Sequence, residues 1–468
     1  MKPPEKTSER PMAASRVVTQ ARTTSKCILE VLMRSLLEQL PADRCLRELF
    51  SANHQLGSRD RRIIGETLYS VLRWWGWLQK LAPTYFLEAL AAHETTAPLH
   101  VADWNGVLSA SWLLENRFDL PPSVMFWLRE AGLYPELFED LPSDTPCAGR
   151  RRYLRPFFQK AQIDMPPLLM EDLLPTWVPE HLAPEENVDY RNLLEWMQRR
   201  PPVWIRSQVR DGDYLRARIE RESENSVHPI PHPVLRGAFS IRHTGTNLRA
   251  LPIFREGGFE IQDLASQCVA YVCAPKPGEQ WWDACAGGGG KALHLASLMR
   301  NRGSVDASDL REYKLEELRL RARRDHFNNI RTRVWKGIAK EVPKERYDGV
   351  LVDVPCSCSG TWRRAPDGRW NSRPEALKEF NDLQKQLLEA AALAVKPGGT
   401  LVYSTCSMFR EENQGIVESF LESHPEFILA RHVNPLSNSE SEGMTQIWPW
   451  HGDCDAMFTA KLTRRKTQ

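Results

Sequence analysis

The 468-residue chain has no apolar run approaching the roughly 18–20 residues that a membrane-spanning helix needs, which excludes such a helix. Residues 1–22 also lack an apolar stretch. They are rich in Lys, Arg, Pro, Ser and Thr, with Glu5 and Glu9 as the acids, so a short disordered basic arm is expected rather than a secretory leader; a transit peptide is the alternative. No charge of one sign dominates. Against 62 Lys and Arg stand 60 Asp and Glu, a net charge of +2, so any nucleic-acid surface must be a local patch. The ten cysteines form no C-x-x-C pair, and no disulfide framework is expected in a chain of this size without a leader. Cys356 and Cys358 stand two apart, but no second Cys or His pair completes zinc spacing, so no metal is expected. The expected setting is a reducing cytoplasm, and no internal repeat is present. The hydrophobic share of 42% and 16 Trp suit a globular chain with large cores, and the length suggests about three domains.

From Ser25 to about Phe158 the pattern is helical. In the run from Cys27 to Leu37 apolar residues recur at i, i+3, i+4 and i+7. Ser58 is the expected N-cap of a second helix through Ile63, Ile64, Leu68, Val71 and Leu72, and further helices are expected around Val107–Leu114 and Val124–Leu133. A Pro-rich stretch from Pro166 to about Pro252 carries strand signals at Val203–Arg206 and Ala238–Ile241 and a helix signal at Tyr214–Ile219, a small α+β module. From Gly257 strands and helices alternate. Strands are expected at Gln280–Ala284, Gly303–Asp309, Tyr347–Val354 and Thr400–Ser404, with helices at Ala292–Met299, Lys314–Arg324 and Leu383–Val395 and a turn at Lys396–Gly399. That alternation predicts a mainly parallel, doubly wound sheet with its chemistry at the carboxyl ends of the strands.

Three constellations sit at such strand ends. The first is Asp283-Ala284-Cys285-Ala286-Gly287-Gly288-Gly289-Gly290-Lys291, a strand running through four glycines into a helix. Such a loop lets backbone approach a ligand closely and presents free N–H groups. It is neither G-x-G-x-x-G nor a P-loop, and a flexible turn is the plainer reading of it alone. Asp309 ends the next strand, twenty residues after Gly289, where an acid can accept hydrogen bonds from ribose hydroxyls; a helix-capping Asp is the alternative. The second is Asp353-Val354-Pro355-Cys356-Ser357-Cys358-Ser359-Gly360-Thr361, an acid and thiols at a strand end. The third is Thr400–Ser407, which contains Cys406 and is followed by Glu411, Glu412 and Asn413. For Asp353 and Cys356 a capping Asp beside a buried cysteine is an equal alternative, and for Cys406 alone a disulfide or a buried core cysteine is.

In this order the glycine loop, Asp-x-Pro-Cys and Thr-Cys-Ser resemble the RNA cytosine-C5 methyltransferases of the RsmB/Nop2/Sun type, over roughly Pro175 to Lys461. Gly258–Gln267 and Arg363–Trp370 are similar to further stretches of that family. The helical part, with Arg59-Asp60-Arg61 and Leu68–Trp74, resembles the NusB-like RNA-binding domain of its RsmB branch. The resemblance implies a multidomain chain. A basic arm (1–22) precedes an all-α NusB-like RNA-binding bundle (23–165), a small α+β RNA-recognition module (166–255) and an α/β Rossmann-like methyltransferase domain (256–468).

It implies S-adenosylmethionine as cofactor, held by Cys285, Ala286, Gly287, Gly288, Gly289, Gly290, Lys291, Asp309, Lys314 and Asp353. It also implies Cys406 as the nucleophile that adds to C6 of cytosine, Cys356 as the group assisting its release, and Asp353 on the N3/N4 edge of the base. The implied partner is RNA, 16S rRNA first and tRNA as the close alternative, with no membrane. Arg363 and Arg364 are the expected phosphate contacts, whereas the basic residues of Lys314–Arg324 read as a solvated helix face. The chain departs from the family pattern in four places. Gly287 and Gly288 replace Ala-Pro, Ala292 replaces Thr, no acid stands near Lys336-Gly337, and Cys358 replaces the Gly after Pro-Cys-Ser. A non-catalytic RNA-binding or ribosome-assembly factor with an altered cofactor loop is the rival reading.

Overall fold

The computed structural model describes residues 14–138, 142, 145–182, 189–242 and 245–466, in two compact units. The first unit joins the chain up to Thr176 with Ala365–Asn371, and the second comprises Trp177–Arg364 and the chain from Ser372. The boundaries drawn from composition therefore shift. The helical part runs past residue 165, and the small module and the large sheet share one unit. Of the expected disordered arm, residues 1–13 lie outside the described residues; 14–22 belong to the helix Ala14–Leu36, because Val17, Val18 and Ala21 continue its apolar face.

The first unit is all-α, with its longest helices at Ala14–Leu36, Ala42–Ala52, Ser58–Arg73, Asn105–Leu114 and Pro122–Glu130. Their apolar faces meet in one core that includes Ile28, Leu32, Ile64, Leu68 and Leu108 with Trp74, Trp77, Trp104 and Trp127. Gly57, not Ser58, is the N-cap of the third helix. Its N–H donates to Asp60 Oδ2 at 3.0 Å, so the acid three residues on supplies the cap that Ser58 was expected to give.

Residues 365–371 complete this unit. Asp367 accepts the Ala42 N–H (2.9 Å) at a helix start where Pro41 offers no side-chain cap. Arg369 donates to the Leu173 carbonyl (3.0 Å), and Trp370 Nε1 to the Leu72 carbonyl (2.6 Å).

In the second unit β1 (Val203–Ser207), β2 (Ile230–Pro231), β3 (Ala238–Ile241) and β4 (Phe259–Ile261) form an antiparallel sheet in the order β2-β3-β1-β4. β4 lies beyond residue 255, where the small module was expected to end. Its register against β1, Ile205 opposite Ile261, assigns it to the smaller sheet.

The large sheet is built from β5 (Gln280–Asp283), β6 (Ser304–Asp309), β7 (Ile330–Val334), β8 (Tyr347–Asp353) and β9 (Val395–Thr405), all parallel in the order β9-β8-β5-β6-β7. Beyond β9 come β10 (Phe427–Leu429), the hairpin β11 (His432–Val433) and β12 (Glu440–Ser441), then β13 (Met444–Ile447) and β14 (Met457–Arg464). β14 runs antiparallel to β9 and carries β10 and β13. Trp281 and Trp282 of β5 point to opposite faces and seed two cores.

The expected turn at Lys396–Gly399 is instead a bulge inside β9. Val395 pairs with Tyr347 and Thr400 with Gly349, so the residues between them loop out, with Gly398 at φ +81°. The helix before it is Pro374–Ala392, longer than expected at its start. Among the described residues no helix is long and apolar enough to cross a membrane.

Candidate active site

Because β5, β6, β8 and β9 are parallel neighbours, their carboxyl ends bring the three constellations together. Past β5 the chain keeps pairing through Ala284 N–H to the Leu351 carbonyl (2.9 Å) and Ala286 N–H to the Ser308 carbonyl (2.7 Å), and then turns. Gly289 makes the turn at φ +85°, where a Cβ would stand 2.1 Å from Leu318 Cδ1, so no other residue fits. Gly287, at φ +54°, faces open space: a Cβ there would meet nothing within 4 Å. The glycines that replace Ala-Pro sit in a loop pinned from behind. Arg321 donates to the Gly288 carbonyl (2.5 Å), and Arg321 and Arg324 both pair with buried Glu260. Buried Arg206 bridges the Gly290 carbonyl (3.2 Å) and Gln262 (2.8 Å).

Asp309 at the end of β6 accepts the Gly287 N–H (3.0 Å) and the Arg311 N–H (2.8 Å), and it pairs with the half-exposed Arg311 guanidinium. Burial pushes its carboxyl up, but the hydrogen bonds and charge of Arg311 outweigh this and hold it below the usual range. Asp283 is wholly buried, and neither of its oxygens makes an aligned hydrogen bond. Desolvation first, then the charge of Asp353, raises it to about 8, so it is a neutral acid at pH 7. Burial, and then Asp283, likewise raises the thiol of Cys285. Lys314 pairs with Glu317 (3.0 Å), whose carboxyl faces Gly288, so it stands at the rim of the loop rather than in it.

Asp353 at the end of β8 receives Lys291 Nζ at 2.6 Å and the Ser404 hydroxyl at 2.8 Å. One turn on, Cys356 Sγ lies 3.4 Å from Cys406 Sγ, which follows β9. Cys358, which chain spacing alone does not bring to Cys406, joins them: the sulfurs of Cys356, Cys358 and Cys406 all lie within 4.8 Å of one another. They share protons. Hydrogen bonds with Cys358 and Cys406, and then burial, hold Cys356 as a thiol. Hydrogen bonds from Cys356 and Cys406 pull exposed Cys358 down. Cys406 is drawn down by Cys356, but Cys358 and burial push it further up, to about 12.

Both loops rest on Glu412, a residue to which the sequence reading gave no role. Its carboxylate accepts the Ser357 N–H (2.8 Å), the Ser357 and Ser407 hydroxyls (2.5 Å each) and Gln384 Nε2 (3.0 Å), and so fixes the residues that follow the two cysteines. The only sequence signal was an acid shortly after Thr-Cys-Ser.

The expected phosphate contacts divide. Arg363 is wholly buried, bound to Asp453 (2.5 Å) and the Cys454 carbonyl (2.9 Å) and set over the Trp196 ring. It cannot face RNA, because its guanidinium is wholly buried and spent on the half-exposed Asp453 and a backbone carbonyl. Arg364 pairs with buried Asp455 (2.6 Å) while 58% of its side chain stays open. The basic residues of Glu312–Arg324 are paired, Arg319 with Glu312 and Glu316.

A parallel sheet with a glycine loop after its first strand and an acid at the end of the adjacent one is the architecture of a Rossmann-like methyltransferase domain. A family profile described as 16S rRNA methyltransferase RsmB/F matches residues 270–463, and the chain belongs to that family. It is 30% identical over 364 residues to the ribosomal RNA small subunit methyltransferase B of Yersinia pestis, an alignment covering 73% of this chain and 82% of that protein. It is 38% identical over 222 residues to the probable ribosomal RNA small subunit methyltransferase B of Synechocystis, there covering 46% of this chain and 49% of the relative. The solved structure of PH0851 superposes with a TM-score of 0.72 at 25% identity, covering 94% of this chain and 98% of that one. NSun6 from Pyrococcus horikoshii, solved with SFG, shares the fold at a TM-score of 0.52 and 18% identity, over 62% of this chain and 97% of that one. The cofactor is S-adenosylmethionine, and this chain's residues fit it. Gly287 leaves the loop face clear, Asp309 is an ionised acceptor beside it, and Asp283 keeps a buried carboxyl without an aligned partner.

Proposed function

We propose that this RNA methyltransferase modifies C5 of cytosine, in 16S rRNA, through a covalent bond from Cys406 to C6 of the base. The observation that carries the reading is the pair of sulfurs 3.4 Å apart beside the Lys291–Asp353 pair, at strand ends next to the glycine loop. C5 of cytosine is too weak a nucleophile to be alkylated unaided. Thiolate addition at C6 turns the C5–C6 bond into an enamine whose C5 is nucleophilic. S-adenosylmethionine supplies the electrophilic methyl group; the glycine loop and Asp309 would hold it.

Asp353, oriented by Lys291 and Ser404, holds the N3/N4 edge of the base and favours the adduct. Cys406, held as a thiol at rest, attacks C6 as its proton passes by way of Asp353 to N3 of the base, so that the adduct is neutral, and the charge of Lys291 favours the departing proton. Cys356 acts at the end, when the C5 proton leaves and the bond to Cys406 breaks. The target base must leave its stack to reach the sulfurs. The helical unit is assigned the docking of structured RNA, on its NusB-like resemblance, and the enzyme is assigned to the cytoplasm.

Transfer of tritiated methyl from S-adenosylmethionine to cytosine C5 of 16S rRNA tests the reading. Cys406→Ser should abolish it while cofactor binding remains. Wild-type protein that binds RNA without binding cofactor would identify a ribosome-assembly factor instead, and methylation confined to tRNA would replace the substrate.

A further inference from the structure

Cys358 occupies a position that the proposed mechanism does not use. Its backbone is left-handed (φ +55°), a conformation in which a non-glycine residue is strained and for which the resembling family carries glycine. Its sulfur nevertheless lies within 4.8 Å of both Cys356 and Cys406, which are themselves 3.4 Å apart.

Three sulfurs bound to one ion at about 2.3 Å must stand roughly 3.8–4.0 Å from one another. The Cys356–Cys406 spacing of 3.4 Å falls just short of that value, and the 4.8 Å within which Cys358 lies from both contains it, so small side-chain rotations of the three cysteines suffice. Thiolates select soft or borderline d10 cations over the hard cations that oxygen ligands hold. Three sulfurs leave a fourth tetrahedral position for water. Three thiolates around a divalent ion leave one negative charge, and Lys291, which acts electrostatically on Cys406, lies beside it to balance that charge.

We propose that Cys356, Cys358 and Cys406 form a zinc site that, when filled, withdraws the nucleophile and switches the enzyme off. Binding releases the thiol protons to solvent and involves no oxidation. The binding claim stands on the three sulfurs alone; only its inhibitory consequence rests on the reading of Cys406 as nucleophile. The expectation of no metal followed chain spacing, which pairs Cys356 with Cys358 but cannot see Cys406 arriving from the neighbouring strand.

The test uses reduced full-length protein, with Zn²⁺ titrated against a chromophoric chelator and Co²⁺ as a spectroscopic probe. The wild type should bind one ion and give thiolate-to-cobalt charge-transfer absorption with intense tetrahedral visible bands. Cys358→Gly relieves the left-handed strain and should stay folded by thermal unfolding. It should lose affinity on the order of 100-fold, together with the cobalt bands. One equivalent of Zn²⁺ should stop wild-type methyl transfer reversibly, with recovery on chelation, while Cys358→Gly keeps turning over. Equal zinc affinity in the two proteins, or cobalt bound without thiolate bands, would overturn the site. Zinc binding that depends on Cys358 in a protein that transfers no methyl group would uphold the site and reject the catalytic reading instead.

Discussion

Lys291 and Asp353 meet at 2.6 Å, tying the helix after the glycine loop to the end of β8. Each is mostly buried, with side-chain exposures of 12% and 26%. Removing either charge strands the other. Lys291→Met and Asp353→Asn should therefore each lower stability, and the double variant should lose less than the sum. Denaturant unfolding of the full cycle should give a coupling of about 1–3 kcal/mol.

Cys356 should be needed after bond formation and Cys406 before it. Cys356→Ser should accumulate a covalent protein–RNA complex that survives denaturing electrophoresis and disappears on nuclease treatment. Cys406→Ser and the double variant should trap nothing. A trapped species in the double variant would defeat the mechanism.

Asp309 offers charge-assisted acceptors at the loop face. Asp309→Ala should weaken S-adenosylhomocysteine by about 1.5–3 kcal/mol for each hydrogen bond lost, read by calorimetric titration. Unchanged affinity would remove Asp309 from the cofactor site.

Asp283 should make the fold sensitive to alkali. Its carboxyl ionises near 3.8 when unfolded and at about 8 when folded, so between those values the folded chain holds a proton that the unfolded chain has lost. The stabilisation is complete below about pH 4 and declines by up to about 1.4 kcal/mol for each pH unit until about pH 8. Asp283→Asn cannot ionise. Its melting temperature should gain on the wild type as pH rises from 5 to 8, and parallel curves would show that Asp283 is charged in the fold.

The glycine loop, Asp309, Asp353, Cys356 and Cys406 were legible in sequence because each closes a strand of a parallel sheet, and parallel topology gathers such ends in one place. What stayed hidden depends on partners far along the chain. Arg363 reads as a surface charge until Asp453, Cys454 and Trp196 enclose it. Cys358 and Glu412 acquire their places only when the loops after β8 and β9 lie side by side. β4 was missed because three residues paired across some fifty leave no local period. Ser58 shows a finer limit: a good capping residue stood one position inside the helix, and Asp60 did the capping.

The seating of residues 365–371 in the helical unit sets a timetable for biosynthesis. Synthesis must pass Thr176 and run on 195 residues further, to Asn371, before that unit owns all its parts. At about 5–20 residues per second this is a delay of roughly 10–40 s, during which Ala42 lacks its Asp367 cap and Leu72 its Trp370 partner. By then the ribosome has already made β1 to β8 of the other unit. The helical unit, begun before the other, is thus completed only after most of the large sheet has been synthesised. A chain stalled or cleaved anywhere between the two segments releases a bundle still missing part of its wall.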